Sequence, residues 1–194
     1  MAAGTVADVD APSDSRPPAA PRPRLVTPII IVVGAVLLDQ STKWWAVDAL
    51  GDGDVIEVLP TLEFDLTYNR GFSFGTGAGF GHWIGLLVIA LCLFLVHQIR
   101  VSSSLMRANI AAVVLGGALG NLVDRIFRAD DGALSGEVID FIDVTWYAVF
   151  NVADIFVVCG CIVFAWHEVK SARRELPAEA DDSTPSAPED EPAA

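Results

Sequence analysis

Two carboxylates, Asp140 and Asp154, stand at either side of an aromatic stretch typical of a membrane–water interface. An ionisable side chain at membrane depth is costly, so it is a functional candidate by default. Two carboxylates brought close together cannot easily both ionise at neutral pH, so they share one proton. The ionised partner can then take a proton from water, which attacks a peptide carbonyl, while the protonated partner donates to the oxyanion or the leaving amine. Such a pair titrates as a unit, so acid and base are not assigned.

Other carboxylates compete for a place in this pair. Asp143 is the direct competitor of Asp140, since the two point to opposite faces of an extended chain but share one face of a helix. Asp124 and Glu137 are further candidates. The spacing alone leaves this choice open.

Two other chemistries are disfavoured. Residues 71–75 match the G-x-S-x-G nucleophile elbow around Ser73, but a glycine run follows where the elbow needs a helix, and the three histidines are scattered. The glycine run is out of register for a phosphate-binding loop. The three cysteines lie in apolar runs, and no His/Cys cluster has ligand spacing, so we expect no metal and no cofactor.

The composition places this site in a membrane. Hydrophobic residues make up 53% of the chain, yet its formal charge is −13, because acidic residues crowd the two tails and residues 48–65. Four apolar runs, each near the ~20 residues that cross a bilayer, occupy the middle. The sequence therefore indicates a small integral membrane protein, and the lack of a basic stripe argues against nucleic acid as a partner.

The predicted fold class is an all-α membrane protein, a four-transmembrane-helix bundle with a small extracytoplasmic β-sheet and disordered tails. Short apolar/polar alternations predict strands over 55–59 and 62–68. The predicted divisions are a disordered N-terminal tail over 1–24, a four-span domain over 25–168 with spans at 25–47, 83–99, 108–123 and 149–166 and a β segment at 49–81, and a disordered acidic tail over 169–194.

The distribution of lysine and arginine predicts the orientation. Eight of the twelve lie in the N-terminal tail, the link between the second and third spans, and the C-terminal tail. By the positive-inside rule these parts are cytoplasmic, and so are both termini. The polar ends of the first, third and fourth spans and the carboxylate pair then meet at the extracytoplasmic face.

Polar groups on the first and third spans also share helical faces. Asp39 and Lys43 are four residues apart and can pair. Gly116 and Gly120 form a small-xxx-small face for close helix contact. The residues that follow this face fall on one helical side: Asn121, Asp124 and Arg125. They serve either as interfacial anchors at a helix end or as an inward-facing polar wall.

Five blocks in this order resemble those of bacterial lipoprotein signal peptidase, also called signal peptidase II, over about residues 25–166. They are D-Q-x-T-K from Asp39, N-x-G-x-x-F from Asn69, G-G-x-x-G-N-x-x-D-R from Gly116, V-x-D-F from Val138 and F-N-x-A-D from Phe150. The resemblance implies a membrane aspartyl endopeptidase that cleaves signal peptides from prolipoproteins just before a diacylglyceryl-cysteine. It also implies membrane lipid and globomycin-type inhibitors as partners, a bacterial cell (inner) membrane location, and no metal.

The resemblance further implies roles for the matched residues. Asp140 and Asp154 match the catalytic aspartates, and Asp143 matches no motif position. Phe72-Ser73 departs from the two small residues usual after N-x-G, which predicts a narrower lipid-facing cleft. The residues implied to hold the substrate backbone are Asn69, Gly71, Asn121 and Arg125, and those implied to support the site are Asp39, Lys43, Asp124 and Asn151.

Two alternatives use the same carboxylates. A small membrane carrier with a proton relay predicts interrupted helices and a site near the bilayer midplane. A non-catalytic scaffold predicts that Asp140 and Asp154 are each dispensable.

Overall fold

The computed structural model describes residues 25–71, 81–129 and 132–175. These residues form four helices, each long and apolar enough to cross a membrane, and one three-stranded sheet, which confirms the predicted four-helix bundle with a small β-sheet. The helices are α1 (Val26–Leu50), α2 (Gly81–Val101), α3 (Leu105–Phe127) and α4 (Val152–Glu175). The strands are β1 (Ile56–Leu59), β2 (Leu62–Asn69) and β3 (Val138–Asp143).

Helix α3 is the centre of the bundle and contacts the other three helices. Of its membrane-crossing stretch 67% is buried, compared with 11% for α4, so most of α4 faces lipid. The exposed isoleucines, leucines and valines on α1, α2 and α4 are therefore the expected surface of a membrane protein. Helix α3 is therefore the helix on which polar side chains can be buried within the bundle.

Small residues allow the close approach of these helices. A Cβ atom added to Gly116 would lie 2.5 Å from Ala35 of α1, and one added to Gly120 would lie 2.5 Å from the carboxylate of Asp39. The predicted small-xxx-small contact is thus confirmed. Its consequence is that Asp39 lies directly against the backbone of α3.

The sheet is antiparallel in the order β1-β2-β3 and rests on the end of α1. Trp45 of α1 packs edge-on against Phe64 of β2 and Phe141 of β3, with ring centroids 5.3 and 6.0 Å apart. Ile139 and Phe141 are buried with Leu50 in the same apolar cluster. This contact fixes β3, and with it Asp140, relative to α1.

The helices run past most of the predicted span ends; for example, α1 ends at Leu50 and not at 47, and α3 begins at Leu105 and not at 108. Helix α4 begins at Val152, not 149, because Phe150 forms a β-bridge with Ile142 of β3. At its other end α4 continues to Glu175, into the tail predicted to be disordered from 169, where basic residues favour a helix C-terminus. The rest of that tail and residues 1–24 lie outside the described residues.

Candidate active site

The connection between β3 and α4 brings the two aspartates to one place. Phe150 accepts hydrogen bonds from the N–H groups of Phe141 and Ile142 at 3.1 and 2.8 Å, and its own N–H donates to Ile142 at 3.1 Å. The chain therefore turns directly from the strand that carries Asp140 into the helix that carries Asp154.

Asn151 is the N-cap of α4 and joins the two aspartates. Its Oδ1 accepts the N–H of Asp154 at 3.1 Å, and its own N–H donates to Asp154 Oδ2 at 3.2 Å. This is the reciprocal geometry of a capping box, so Asp154 both caps its helix and faces the site. Asn151 Nδ2 donates to Asp140 Oδ1 at 2.6 Å, and the side chain is fully buried.

Asn121 of α3 completes the link on the far side. Its Nδ2 donates to Asp154 Oδ1 at 2.8 Å, and its Oδ1 accepts from Asn151 Nδ2 at 3.0 Å. A continuous chain of hydrogen bonds therefore runs from Asp140 through Asn151 and Asn121 to Asp154. The predicted carboxylate pair is thus linked through two amides in series.

Asp140 is almost fully buried and has a second amide donor. Asn69 of β2 donates from Nδ2 to Asp140 Oδ2 at 2.9 Å, and its Oδ1 accepts the N–H of Gly71 at 2.9 Å. Burial raises the pKa of Asp140 to about 6; the hydrogen bond from Asn69 opposes this rise and the charge of Asp154 adds to it. Asp140 is therefore a carboxyl group that can carry a proton near neutral pH.

A buried ion cluster supports this network from α1. The Lys43 ammonium lies 2.9 Å from Asp39 Oδ2 and 2.8 Å from Asp124 Oδ2, and Asp39 and Lys43 are 0% exposed. Asp39 Oδ1 accepts the N–H of Ala153 in the first turn of α4 at 3.0 Å, and Asp124 Oδ2 accepts the N–H of Ile139 next to Asp140 at 3.4 Å. Each supporting carboxylate therefore ties the cluster to the backbone beside one aspartate of the pair.

Arg125 lies at the edge of the site and is 5% exposed. Its Nη2 donates to the carbonyl of Gly71 at 3.0 Å. Its buried Nη1 has no hydrogen-bond partner among the described residues. A buried guanidinium nitrogen without a partner is costly, so this group is available to a ligand carbonyl.

The competing carboxylates are engaged elsewhere. Asp143 Oδ1 accepts the N–H of Thr145 at 2.7 Å in a local turn. In the sheet, Asp143 lies opposite Glu63 in the register of β2 and β3. Glu137 forms an ion pair with Arg70. Asp124 belongs to the Lys43 cluster.

Two residues that contact the buried ion cluster were not predicted from the sequence. Gln40 Nε2 donates to Asp39 Oδ2 at 3.2 Å and to the carbonyl of Gly120 at 3.1 Å. Arg128 Nε lies 3.4 Å from Asp124 Oδ1. Their signal was available, since Gln40 lies within the D-Q-x-T-K block and Arg128 is four residues after Asp124.

Some sequence interpretations fall on residues that are not described. Ser73 of the elbow match, Phe72 and most of the glycine run lie within 72–80, outside the described residues. Across 25–71, 81–129 and 132–175, no group of three or more His, Cys, Asp or Glu side chains is placed to hold a metal ion.

Four membrane-length helices with a polar network at one end define the class as an integral membrane protein, and solved membrane enzymes share this fold. A solved bacterial membrane enzyme, determined by the in meso method at 2.3 Å, superimposes with a TM-score of 0.68 at 28% identity, covering 81% of this chain and 96% of that one. A second, at 1.9 Å, gives a TM-score of 0.65 at 29% identity over 75% and 94%.

Sequence comparisons define the family. The family model of signal peptidase (SPase) II, peptidase family A8, matches residues 31–170. A lipoprotein signal peptidase from Bifidobacterium adolescentis is 40% identical over 136 residues, 70% of this chain and 72% of the relative. One from Bifidobacterium longum subsp. infantis is 37% identical over 174 residues, 87% and 93%. The chain belongs to the signal peptidase II family of aspartic peptidases, which decides against the carrier and scaffold alternatives.

Proposed function

We propose that this protein removes signal peptides from diacylglyceryl-modified prolipoproteins, cutting just before the lipid-modified cysteine, with Asp140 and Asp154 as the catalytic pair. The observation that carries the assignment is the unbroken hydrogen-bond chain Asp140–Asn151–Asn121–Asp154. This chain supports the assignment because it links the two carboxyl groups through hydrogen bonds within one polar network.

The reaction needs one proton shared by the pair. The ionised aspartate takes a proton from a water molecule, which attacks the scissile carbonyl, while the protonated aspartate donates its proton to the oxyanion. The first aspartate then passes the proton from water to the leaving amine as the C–N bond breaks, and the second recovers its proton from the intermediate. The amide donors of Asn69, Asn121 and Asn151 hold both carboxyl groups in place while their charges change. This positioning keeps the water and the peptide bond in reacting geometry.

The substrate backbone lies against Arg125 and the β2 end. A peptide in a lipid-flanked cleft needs partners for its carbonyl and N–H groups, because unsatisfied ones cost several kcal/mol there. The partnerless Nη1 of Arg125 supplies one donor. Asn69 and Gly71, which Arg125 fixes through the Gly71 carbonyl, line the same side.

Arg125→Gln should raise KM about tenfold or more with a smaller effect on kcat, because it removes a donor that holds substrate in the ground and transition states alike. Cleavage kinetics on a lipid-modified peptide measure this. Arg173→Gln, on an exposed turn near the end of α4, is the matched control and should behave as wild type. Unchanged KM in Arg125→Gln would remove Arg125 from the binding surface.

The proposed placement is a bacterial inner membrane with both termini in the cytoplasm and the site near the extracytoplasmic face. The lysine and arginine distribution supports this orientation. In this placement the diacylglyceryl chains of the substrate stay in the outer leaflet beside the site. Globomycin-type cyclic peptides are proposed to compete for the same cleft, with membrane lipid as the surrounding partner and no nucleic-acid partner.

The test is cleavage by the purified protein in lipid micelles. A precursor carrying the diacylglyceryl-cysteine should be cut just before that residue, and a globomycin-type cyclic peptide should block the reaction. The same precursor without the lipid is the control and should be cut poorly. Equal cleavage of both precursors would show that the lipid is not part of the recognised substrate.

The raised pKa of Asp140 predicts an alkaline limit to activity. Because burial raises the pKa of Asp140 to about 6, the pair should keep its shared proton below about pH 6 and lose it above. Since kcat/KM reports the free enzyme, it should fall as the pH rises through about 6. The limit in kcat should lie higher, because bound substrate removes water and favours the uncharged acid. A kcat/KM that stays flat across this range would contradict the shared-proton mechanism.

A further inference from the structure

The amide of Asn121 is already engaged on both sides. Its Oδ1 accepts from Lys43 Nζ at 2.9 Å and from Asn151 Nδ2 at 3.0 Å, while its Nδ2 donates to Asp154 Oδ1 at 2.8 Å. The resemblance implied that Asn121 holds substrate. These contacts instead join it to the catalytic pair.

Lys43 determines which way this amide points. An ammonium group has three donors and no acceptor, so only the amide oxygen of Asn121 can face it. A reversed amide would set its NH2 group against the Lys43 ammonium and its oxygen against the Asp154 carboxylate. Both contacts would be repulsive, so the NH2 group is directed at Asp154.

Lys43 is itself held in one position. Its three short contacts, to Asp39, Asp124 and Asn121, match the three N–H groups of an ammonium, and the side chain is 0% exposed. A fully bonded, buried ammonium has little freedom to release Asn121. Asp39 and Asp124 thereby act on the reaction through Lys43, in addition to their backbone contacts.

We propose that Lys43 and Asn121 are positioning residues that direct one amide donor at Asp154, so that Asn121 acts on catalysis and not on substrate binding. This inference rests on the proposed function of the Asp140–Asp154 pair. The charged groups that surround the amide are Asp39 and Lys43 from α1, Asp124 and Arg125 from α3, Asp140 from β3 and Asp154 from α4.

The test is Asn121→Asp, which keeps the shape of the side chain and leaves Lys43 as a partner for the new carboxylate. The oxygen that replaces Nδ2 would face Asp154, and a second carboxylate there makes ionisation of the pair harder. We expect kcat to fall about a hundredfold or more, KM to change little, and the alkaline limit of kcat/KM to move up by about one pH unit or more. Gln98→Glu, the same amide-to-acid change on α2, is the matched control and should keep the wild-type profile.

Two results would overturn the proposal. A rise in KM with unchanged kcat and pH profile would return Asn121 to substrate binding, and wild-type kinetics would leave it without a role. If Asn121→Asp does not elute as a folded protein in detergent, Asn121→Ser, which cannot span Lys43 and Asp154, should show the same loss of kcat. Cleavage by the wild-type protein is measured in parallel. Loss of cleavage in the wild type would contradict the proposed function, whereas a failure of this inference would appear only in the variants.

Discussion

Asp140→Asn and Asp154→Asn should each lower the cleavage rate of a lipid-modified precursor by about a thousandfold or more, within the range that acid–base groups contribute. Asparagine cannot carry or accept the shared proton, so neither water activation nor donation to the leaving amine remains. Cleavage is measured on protein that inserts into membranes and elutes as wild type does, which separates chemistry from folding.

Asp143→Asn is the control for this pair. Its side-chain oxygen should still accept the N–H of Thr145, so the local turn is kept and activity should stay near the wild-type level. A loss comparable to that of the other two variants would mean that Asp143, and not Asp140, belongs to the pair. Wild-type rates in Asp140→Asn or Asp154→Asn would remove the pair altogether.

Gly117→Ala should lower the cleavage rate about a hundredfold, although this glycine makes no contact with either aspartate carboxylate in the network described above. The added Cβ would lie 2.5 Å from the carbonyl oxygen of Ala153, a backbone atom in the first turn of α4. Helices α3 and α4 must therefore separate at this point, which displaces Asp154 relative to Asn121 on α3. Displacements of about 1 Å at a reacting group can cost about this factor, and the overpacking should cost about 1–3 kcal/mol of stability.

Gly34→Ala is the matched control on α1. It adds the same methyl group at a helical glycine where nothing lies within 4 Å. We expect unchanged cleavage and equal or slightly higher thermal stability, because alanine favours a helix more than glycine does. Equal activity in Gly117→Ala and wild type would show that the start of α4 tolerates displacement.

Hydropathy and spacing were sufficient to predict the bundle and two of the three strands of the sheet. The four apolar runs became helices, the alternating segments became β1 and β2, and the Gly116–Gly120 face became a helix contact. These features depend on local periodicity, which the sequence displays directly. The start of α4 was missed because an apolar run does not distinguish residues of a β-bridge from residues of a helix.

The hydrogen-bond partners within the site were harder to predict from the sequence. Asn151-x-x-Asp154 has the spacing of a capping box and was a usable signal for the helix start. The hydrogen-bond partner of each asparagine amide could not be predicted in this way, because Asn69 lies 71 residues from Asp140 and Asn121 lies 33 residues from Asp154. Such pairings arise from the packing of separate elements, so sequence spacing alone predicts the residue types but not their bonds.

The small buried fraction of α4 has a consequence for the environment of the enzyme. Only 11% of its membrane-crossing stretch is buried, yet its first turn carries Asp154. A helix with so much lipid contact adjusts its tilt to the thickness of the surrounding hydrocarbon layer. Under the proposed mechanism we therefore expect hydrophobic mismatch at α4 to displace Asp154, so that turnover should vary with the acyl-chain length of the host bilayer.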